Sequence, residues 1–108
     1  MEEQLVVRSL AALAQTHRLR VFRLLVVAGQ EGMTPGALAE SLALPAATLS
    51  FHLKELSNAG LVSQERVSRN LVYRASFGHM NDLLTYLTEN CCHGTACAVD
   101  GAATSCSC

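Results

Sequence analysis

Residues 44–62 of the chain read LPAATLSFHLKELSNAGLV, and this stretch decides the fold. Leucine recurs there at the spacing of a helix with one apolar side, at Leu49, Leu53 and Leu56. This spacing predicts a helix over about 46–59. Pro45 interrupts the helix that precedes it, and Gly60 can take the left-handed conformation that commonly follows a helix. A second helix immediately before this stretch would complete a helix-turn-helix pair.

The residues before this stretch predict three further helices. Apolar side chains recur at helical spacing between Val6 and Leu13, and again between Val21 and Ala28, where Gly29 ends the second helix. Thr34-Pro35 then offers a capping hydroxyl followed by proline at the first helical position, which predicts a short third helix. The third and fourth helices therefore flank a tight turn.

The residues after this stretch predict a β-hairpin and a fifth helix. Residues 61–75 contain two strand-like segments, LVSQERV and LVYRA, separated by the turn-forming Ser68-Arg69-Asn70. An apolar stripe then follows at helical spacing, at Phe77, Met80, Leu84 and Leu87. This stripe is wider than a small domain needs, so we expect it to pair with another subunit. The predicted fold is mainly α with a small β-hairpin, a homodimeric winged helix-turn-helix.

Composition divides the chain into two parts. At 108 residues there is room for one domain, predicted over 1–90, and a Cys-, Gly- and Ser-rich tail over 91–108 that holds all five cysteines. Five cysteines in a reducing compartment are more often ligands or redox groups than disulfides. The acidic start and the lack of an apolar run of about 20 residues argue against secretion and membrane insertion, so we expect a cytoplasmic protein.

The placement of charge favours DNA binding although the net charge is −1. Basic residues outnumber acidic ones over 47–75, whereas the segment after Ser76 has no lysine or arginine. In a winged helix the second helix of the pair enters the major groove. With the leucines inward, its predicted DNA-facing residues are Ala47, Thr48, Ser50, Phe51 and Lys54. We expect further contacts from the hairpin, at Arg66, Arg69 and Arg74.

Some of these residues allow another interpretation. The polar side of the helix could simply be solvated, and the hairpin could be ordinary surface. His52 lies at the flank of the exposed side, where it is either a hydrogen-bonded structural residue or a phosphate contact. His17 and His79 lie near helix starts and are interpreted as capping or surface residues. No catalytic triad, paired acidic site or phosphate-binding glycine loop is present in the sequence, so we expect no enzyme activity.

The stretch 44–62 together with LVYRA at 71–75 resembles the recognition helix and wing of the ArsR family of metal-responsive repressors. Ser50-x-His52-Leu53 is the most recognisable short motif, and HRLRV at 17–21 is similar to the second helix of the family. The resemblance covers about 5–90. It implies a homodimer through the first and fifth helices, an operator that is an imperfect inverted repeat in double-stranded DNA, and dissociation when metal binds. Ala46 and Ala47 depart from the Gln and Ser that members often carry.

The sensor departs from the family pattern. Arsenic-sensing relatives often carry a Cys-x-Cys pair on the third helix, and zinc-sensing relatives use Asp/His and His/Glu pairs on the fifth, and the sequence has neither arrangement. The candidate ligands are instead cysteines of the tail, Cys91, Cys92 and Cys97, with Cys106 and Cys108 as further candidates.

Thiolates favour soft acceptors, and As(III) or Sb(III) takes three of them. Cd²⁺ or Zn²⁺ would need a fourth ligand, from His93 or from one of the last two cysteines. The tail therefore predicts arsenite or antimonite as inducer and leaves cadmium or zinc open. A thiol redox switch, a metal chaperone and a tail without a function stay as alternatives.

Overall fold

The computed structural model describes residues 1–91, which form a mainly helical domain with an antiparallel hairpin. Its elements in chain order are α1 (Glu3–Leu13), α2 (Thr16–Ala28), α3 (Pro35–Leu42), α4 (Ala46–Asn58), β1 (Val62–Val67), β2 (Asn70–Ala75) and α5 (Phe77–Thr88). This order confirms the predicted winged helix-turn-helix. No helix within these residues is both long and apolar enough to span a bilayer.

The helix ends follow local sequence chemistry. The hydroxyl of Thr34 accepts a hydrogen bond from the amide of Ala37 at 3.2 Å, and Pro35 occupies the first position of α3, as the sequence predicts. After α4, Gly60 has a φ of +81°, the left-handed conformation that glycine adopts without strain. Between α3 and α4 the turn is only three residues long, and its first residue, Ala43, takes a left-handed φ of 53°.

The hydrophobic core lies beneath α4. Leu49, Leu53 and Leu56 are buried together with Leu25 of α2 and Leu38 of α3. Burial of a leucine side chain contributes about 1.5–3 kcal/mol, so these contacts fix the rotation of α4 about its own axis. The opposite side of α4 is therefore held facing outward.

Backbone hydrogen bonds join the hairpin to the segment before α3. Met33, just before α3, pairs with Tyr73 of β2 through two backbone hydrogen bonds of 2.8 and 2.9 Å. Within the hairpin Val67 pairs with Asn70, so Ser68 and Arg69 alone form the turn. The sequence pattern predicted a turn of three residues, Ser68-Arg69-Asn70. Ser68 takes a positive φ of 58°, which closes the turn with one residue fewer.

α1 and α5 pack against each other, and both carry exposed apolar side chains. Leu83 faces the interior of the domain, although the predicted stripe did not include it. The outward-facing residues are Val7 and Leu10 of α1 and Leu84 and Leu87 of α5. The hydroxyl of Ser9 and Nε2 of His79 lie 2.8 Å apart and join the two helices. His79 is thus an inter-helix contact rather than a capping or surface residue.

Candidate nucleic-acid interface

The side of α4 opposite the core is exposed along its length. The predicted DNA-facing residues all lie there: Ala47, Thr48, Ser50, Phe51 and Lys54. Phe51 is 55% exposed, which is unusual for a large aromatic side chain. We call this set of five residues the α4 face. Its contact with DNA stays a prediction, whereas its exposure follows directly from the buried leucines.

The chemistry of the α4 face suits a duplex. The hydroxyls of Thr48 and Ser50 can donate to and accept from base edges or phosphate oxygens, and methyl groups such as that of Ala47 can contact thymine. Lys54 forms no ion pair within residues 1–91, so its charge is available to a phosphate. Arg66 and Arg69 of the hairpin are likewise exposed and make no ion pair in this part of the chain.

Arg74 differs from Arg66 and Arg69 because its guanidinium is already bonded within the domain. Its Nε donates a hydrogen bond of 2.7 Å to the carbonyl oxygen of Gln30, and its terminal nitrogen lies 2.8 Å from Oε1 of Glu65. Arg74 pairs with Ser63 across the hairpin, so Glu65 is its diagonal neighbour on the ladder. The guanidinium thus ties the hairpin to the segment after α2, and the predicted contact of Arg74 with DNA stays a prediction.

His52 also departs from its predicted position. Its side chain is only 6% exposed, so it lies in the interior of the domain rather than at the flank of the α4 face. Burial lowers the pKa of His52, and the charges of Arg18 and His17 lower it further. A buried neutral ring cannot reach a base or phosphate directly. Its burial favours the structural interpretation over a phosphate contact, but the hydrogen bond expected in that interpretation is not found at Nδ1 within residues 1–91.

The start of α2 forms a polar cluster with α4 that the sequence did not reveal. The His17 and His52 rings are 5.8 Å apart between centroids, and the Phe51 and His52 rings are 5.7 Å apart. A terminal guanidinium nitrogen of Arg18 lies 3.9 Å from Oε2 of Glu55. Nε of Arg18 and Nδ1 of His52 are buried without a hydrogen-bond partner within residues 1–91. Helical spacing alone could not have paired residues so distant in the chain.

The predicted sensor lies almost wholly outside the described residues. Cys91 is half-buried and follows the end of α5 by three positions. The other candidate ligands, Cys92, Cys97, Cys106 and Cys108, lie outside residues 1–91. Within the described part of the chain, no three His, Cys, Asp or Glu side chains converge on a position that could hold a metal ion. The cysteine site therefore stays a prediction.

The chain is similar to known helix-turn-helix proteins. A family model for a helix-turn-helix domain matches residues 13–65, from the end of α1 into β1. No curated protein sequence matches the chain. Solved structures do match the chain.

An ArsR-like transcriptional regulator from Rhodococcus sp. RHA1 is 26% identical, with a TM-score of 0.70, over 78% of this chain and 76% of that one. NolR from Sinorhizobium fredii is 31% identical, with a TM-score of 0.63, over 80% of this chain and 83% of its own. The homodimeric winged helix-turn-helix DNA-binding domain of a possible ArsR-family regulator from Mycobacterium bovis is 26% identical, with a TM-score of 0.63 and 81% of each chain covered.

Proposed function

Because the chain belongs to the winged helix-turn-helix transcriptional regulators of the ArsR type, we propose that it represses genes by binding operator DNA as a homodimer. In this proposal it releases the operator when thiolates of its C-terminal cysteines bind arsenite or antimonite. The observation that carries DNA binding is the α4 face, which is exposed, contains the hydroxyls of Thr48 and Ser50 and the ammonium group of Lys54, and is fixed in rotation by buried leucines.

The hairpin supports the same proposal. Arg66 near the end of β1 and Arg69 in the hairpin turn are both exposed, and each can neutralise a phosphate or enter a minor groove. The contact between Met33 and Tyr73 anchors the hairpin beside the helix-turn-helix pair. The duplex would thus be contacted by α4 in the major groove and by the hairpin on the adjacent backbone.

The proposed dimerisation is supported by exposed apolar side chains on α1 and α5. Val7 is 60% exposed, and Leu84 and Leu87 are 44% and 52% exposed, on two helices joined by Ser9 and His79. Covering these side chains with a second copy would remove apolar area from water at about 25 cal/mol per Å². A two-fold homodimer places the two α4 faces on half-sites about 34–36 Å apart, so its operator is an inverted repeat.

The choice of inducer rests on ligand chemistry. Thiolates are soft ligands, and arsenite or antimonite can bind three of them, which Cys91, Cys92 and Cys97 would supply. Cys91 is only three positions beyond α5, one of the two proposed dimerisation helices. Binding there would change the packing of α5 and with it the separation of the two α4 faces. A regulatory coupling of this kind is about 1–3 kcal/mol, or about 5- to 150-fold in operator affinity.

The proposal is tested by fluorescence anisotropy of the reduced protein on DNA from its own promoter, at fixed moderate salt. Arsenite, antimonite, cadmium and zinc are titrated in parallel. We expect release by arsenite or antimonite, loss of release in Cys91→Ser and Cys92→Ser, and unchanged operator affinity in both variants before inducer is added. The double variant Cys106→Ser/Cys108→Ser is the matched control, since it removes the same chemical group elsewhere in the tail.

The alternatives give different results in the same assay. Release by cadmium or zinc alone would indicate a four-ligand site and contradict the three-thiolate sensor. Release by an oxidant without metal, reversed by a thiol reductant, would indicate a redox switch. Loss of operator binding in Cys91→Ser before any inducer is added would contradict a sensor separate from the DNA-binding surface. Failure of the wild-type protein to bind promoter DNA would overturn the proposal as a whole.

A further inference from the structure

Phe51 is an exposed aromatic residue in the middle of the α4 face. The leucines of α4 are buried, whereas Phe51 is 55% exposed. Its helical neighbours on the same face are Ala47, four positions earlier, and Thr48, three positions earlier. A large apolar side chain in water is unfavourable until a partner covers it. The apolar group of α4 that needs a partner therefore lies where DNA is proposed to bind.

The direction of helical side chains places the Phe51 ring toward the beginning of α4. In an α-helix each side chain leans toward the amino terminus, so this ring covers the turn that contains Ala47 and Thr48. The first residues of a recognition helix are those that reach base edges in the major groove. The Phe51 ring and the methyl groups of Ala47 and Thr48 thus form one apolar surface at that end of α4, which we call the apolar patch.

The Phe51 ring has an aromatic neighbour inside the domain. Its centroid is 5.7 Å from that of the His52 ring, and the two planes are inclined by 60°. His52 is itself buried and lies 5.8 Å from the His17 ring of α2. Aromatic pairs attract each other at such separations. Phe51 is therefore partly ordered before any partner binds, which reduces the conformational entropy lost on binding.

The major groove offers one kind of apolar group to such a patch. Each base edge displays hydrogen-bond donors or acceptors there, and thymine adds the methyl group on its C5 atom. A phenyl ring forms no hydrogen bond that would compensate for taking a donor or acceptor out of water. It can, however, cover a methyl group. The chemistry of Phe51 therefore favours a pyrimidine that carries a C5 methyl group.

The surroundings of the apolar patch favour a duplex over an apolar protein partner. Ser50 and Lys54 are exposed on the same face, and Lys54 forms no ion pair within residues 1–91. A hydroxyl and an ammonium group beside the ring suit phosphates and polar base edges. Protein interfaces of oligomers are instead depleted in charge at their centres. The mixture of one aromatic ring with polar groups matches the floor and walls of a major groove.

We propose that Phe51 is a specificity-determining residue, which contacts the C5 methyl group of a pyrimidine in each operator half-site. Ala47 and the Thr48 methyl group complete the contact. The inference rests on the proposed DNA-binding function and names the chemical group that α4 recognises. Thymine supplies this group in unmodified DNA, and 5-methylcytosine carries the same group on the same ring atom. Each half-site consequently contains such a pyrimidine at a fixed position.

The test replaces symmetry-related thymines of the promoter operator, one pair at a time, by deoxyuridine, which removes the C5 methyl group alone. Affinity is measured by fluorescence anisotropy at fixed salt, for wild type and for Phe51→Ala. One pair should weaken wild-type binding about fourfold per half-site, or about 15-fold for both, from the loss of a buried methyl group. The same replacement should change binding of Phe51→Ala by less than about twofold, since the two changes remove one contact.

A second set of duplexes separates the two sources of the methyl group. Cytosine and 5-methylcytosine are placed in turn at the position that the deoxyuridine scan identifies. Tighter binding of wild type to the methylated duplex, absent in Phe51→Ala, would show that the methyl group is recognised on either base. Equal binding to both duplexes, together with a deoxyuridine effect that depends on Phe51, would assign the contact to thymine alone.

The matched control is Val27→Ala, because Val27 is an exposed apolar residue of α2 and lies outside the α4 face. It should keep the deoxyuridine effect of wild type. Phe51→Leu retains an apolar side chain and should keep a larger deoxyuridine effect than Phe51→Ala. This second variant also preserves the test if Phe51→Ala fails to fold, which thermal unfolding reports.

Three results would overturn the inference. The first is an operator with no thymine pair whose replacement depends on Phe51. The second is a loss of affinity in Phe51→Ala that is the same on every duplex, since the ring would then contribute without recognising a methyl group. The third is a change of oligomeric state in Phe51→Ala, which would assign the ring to a protein interface. Wild-type protein that binds no promoter duplex would instead overturn the proposed function, so the two failures are distinguishable.

Discussion

Gly32 should be indispensable for joining the hairpin to the helical body. It has a φ of +65° and a ψ of −168°, a conformation almost restricted to glycine. A Cβ at Gly32 would clash with the carbonyl oxygen of Tyr73 and would lie 2.7 Å from Cγ1 of Val72. The Tyr73 carbonyl accepts the amide of Met33 and so cannot move without breaking that contact. Gly32→Ala therefore combines backbone strain with a steric clash.

Gly29 provides the matched control for the size of this effect. It has the same φ of +65°, but a Cβ there meets nothing within 4 Å. Both alanine variants lose about 1–3 kcal/mol from the disfavoured backbone conformation. Gly32→Ala adds about 1–3 kcal/mol for overpacking, plus about 0.5–1.5 kcal/mol for each backbone hydrogen bond that breaks. We expect Gly32→Ala to be less stable than Gly29→Ala by about 2–5 kcal/mol.

The measurement is urea unfolding of wild type, Gly29→Ala and Gly32→Ala at one protein concentration, because dimerisation contributes to apparent stability. Operator binding is then measured under conditions in which all three proteins are folded. Gly32→Ala should also bind more weakly, since the hairpin arginines lose their fixed position. Free energies of unfolding that agree within about 0.5 kcal/mol between the two variants would refute the argument from the Tyr73 carbonyl.

Three further predictions test other features. Because the pKa of His52 is lowered in the fold, its neutral form contributes stability above about pH 6.5, the unfolded value, that is lost as pH falls toward the folded pKa. The free energy of unfolding of wild type should thus fall more steeply below pH 6.5 than that of His52→Gln, and parallel curves would contradict this. Lys54→Gln should reduce the salt slope of operator binding by about 1.8 for two lost phosphate contacts, and an unchanged slope would exclude Lys54 as a phosphate contact. Leu84→Glu should shift the protein toward monomer in sedimentation, whereas Thr85→Glu, a change at the neighbouring exposed position, should perturb it less, and equal behaviour would exclude the α5 surface as the interface.

The spacing of the leucines predicted α4 well because their periodicity is strong and depends only on neighbouring residues. Leu49, Leu53 and Leu56 are all buried, and Ser50, Phe51 and Lys54 between them are exposed as expected. The cap at Thr34 and the glycine at 60 also followed from rules that need only neighbouring residues. The wing was predicted with one error, a turn one residue too long, because Ser68 takes a left-handed conformation that sequence rarely predicts for serine.

The predictions for individual polar residues were less accurate for a physical reason. Arg74 resembles Arg66 and Arg69 in sequence, but its guanidinium binds the Gln30 carbonyl, forty-four positions away. His52 lies on the buried flank of α4 because His17 of a different helix packs against it. Such pairings depend on how helices are arranged in space, which periodicity within a single helix does not encode.

The sequence by itself determined the order of the helices, the hairpin, the inward side of α4 and the concentration of cysteine after α5, since each depends on residue type and short-range spacing. Only the tertiary structure decided which basic side chains are open to contact with DNA. It bonded Arg74 to the segment after α2, buried His52, and brought His17 and Arg18 beside His52 and Glu55 of α4. Whether a charge is open to DNA depends on its distant neighbours, and those neighbours are set by packing between elements and not by the order of residues within any one of them.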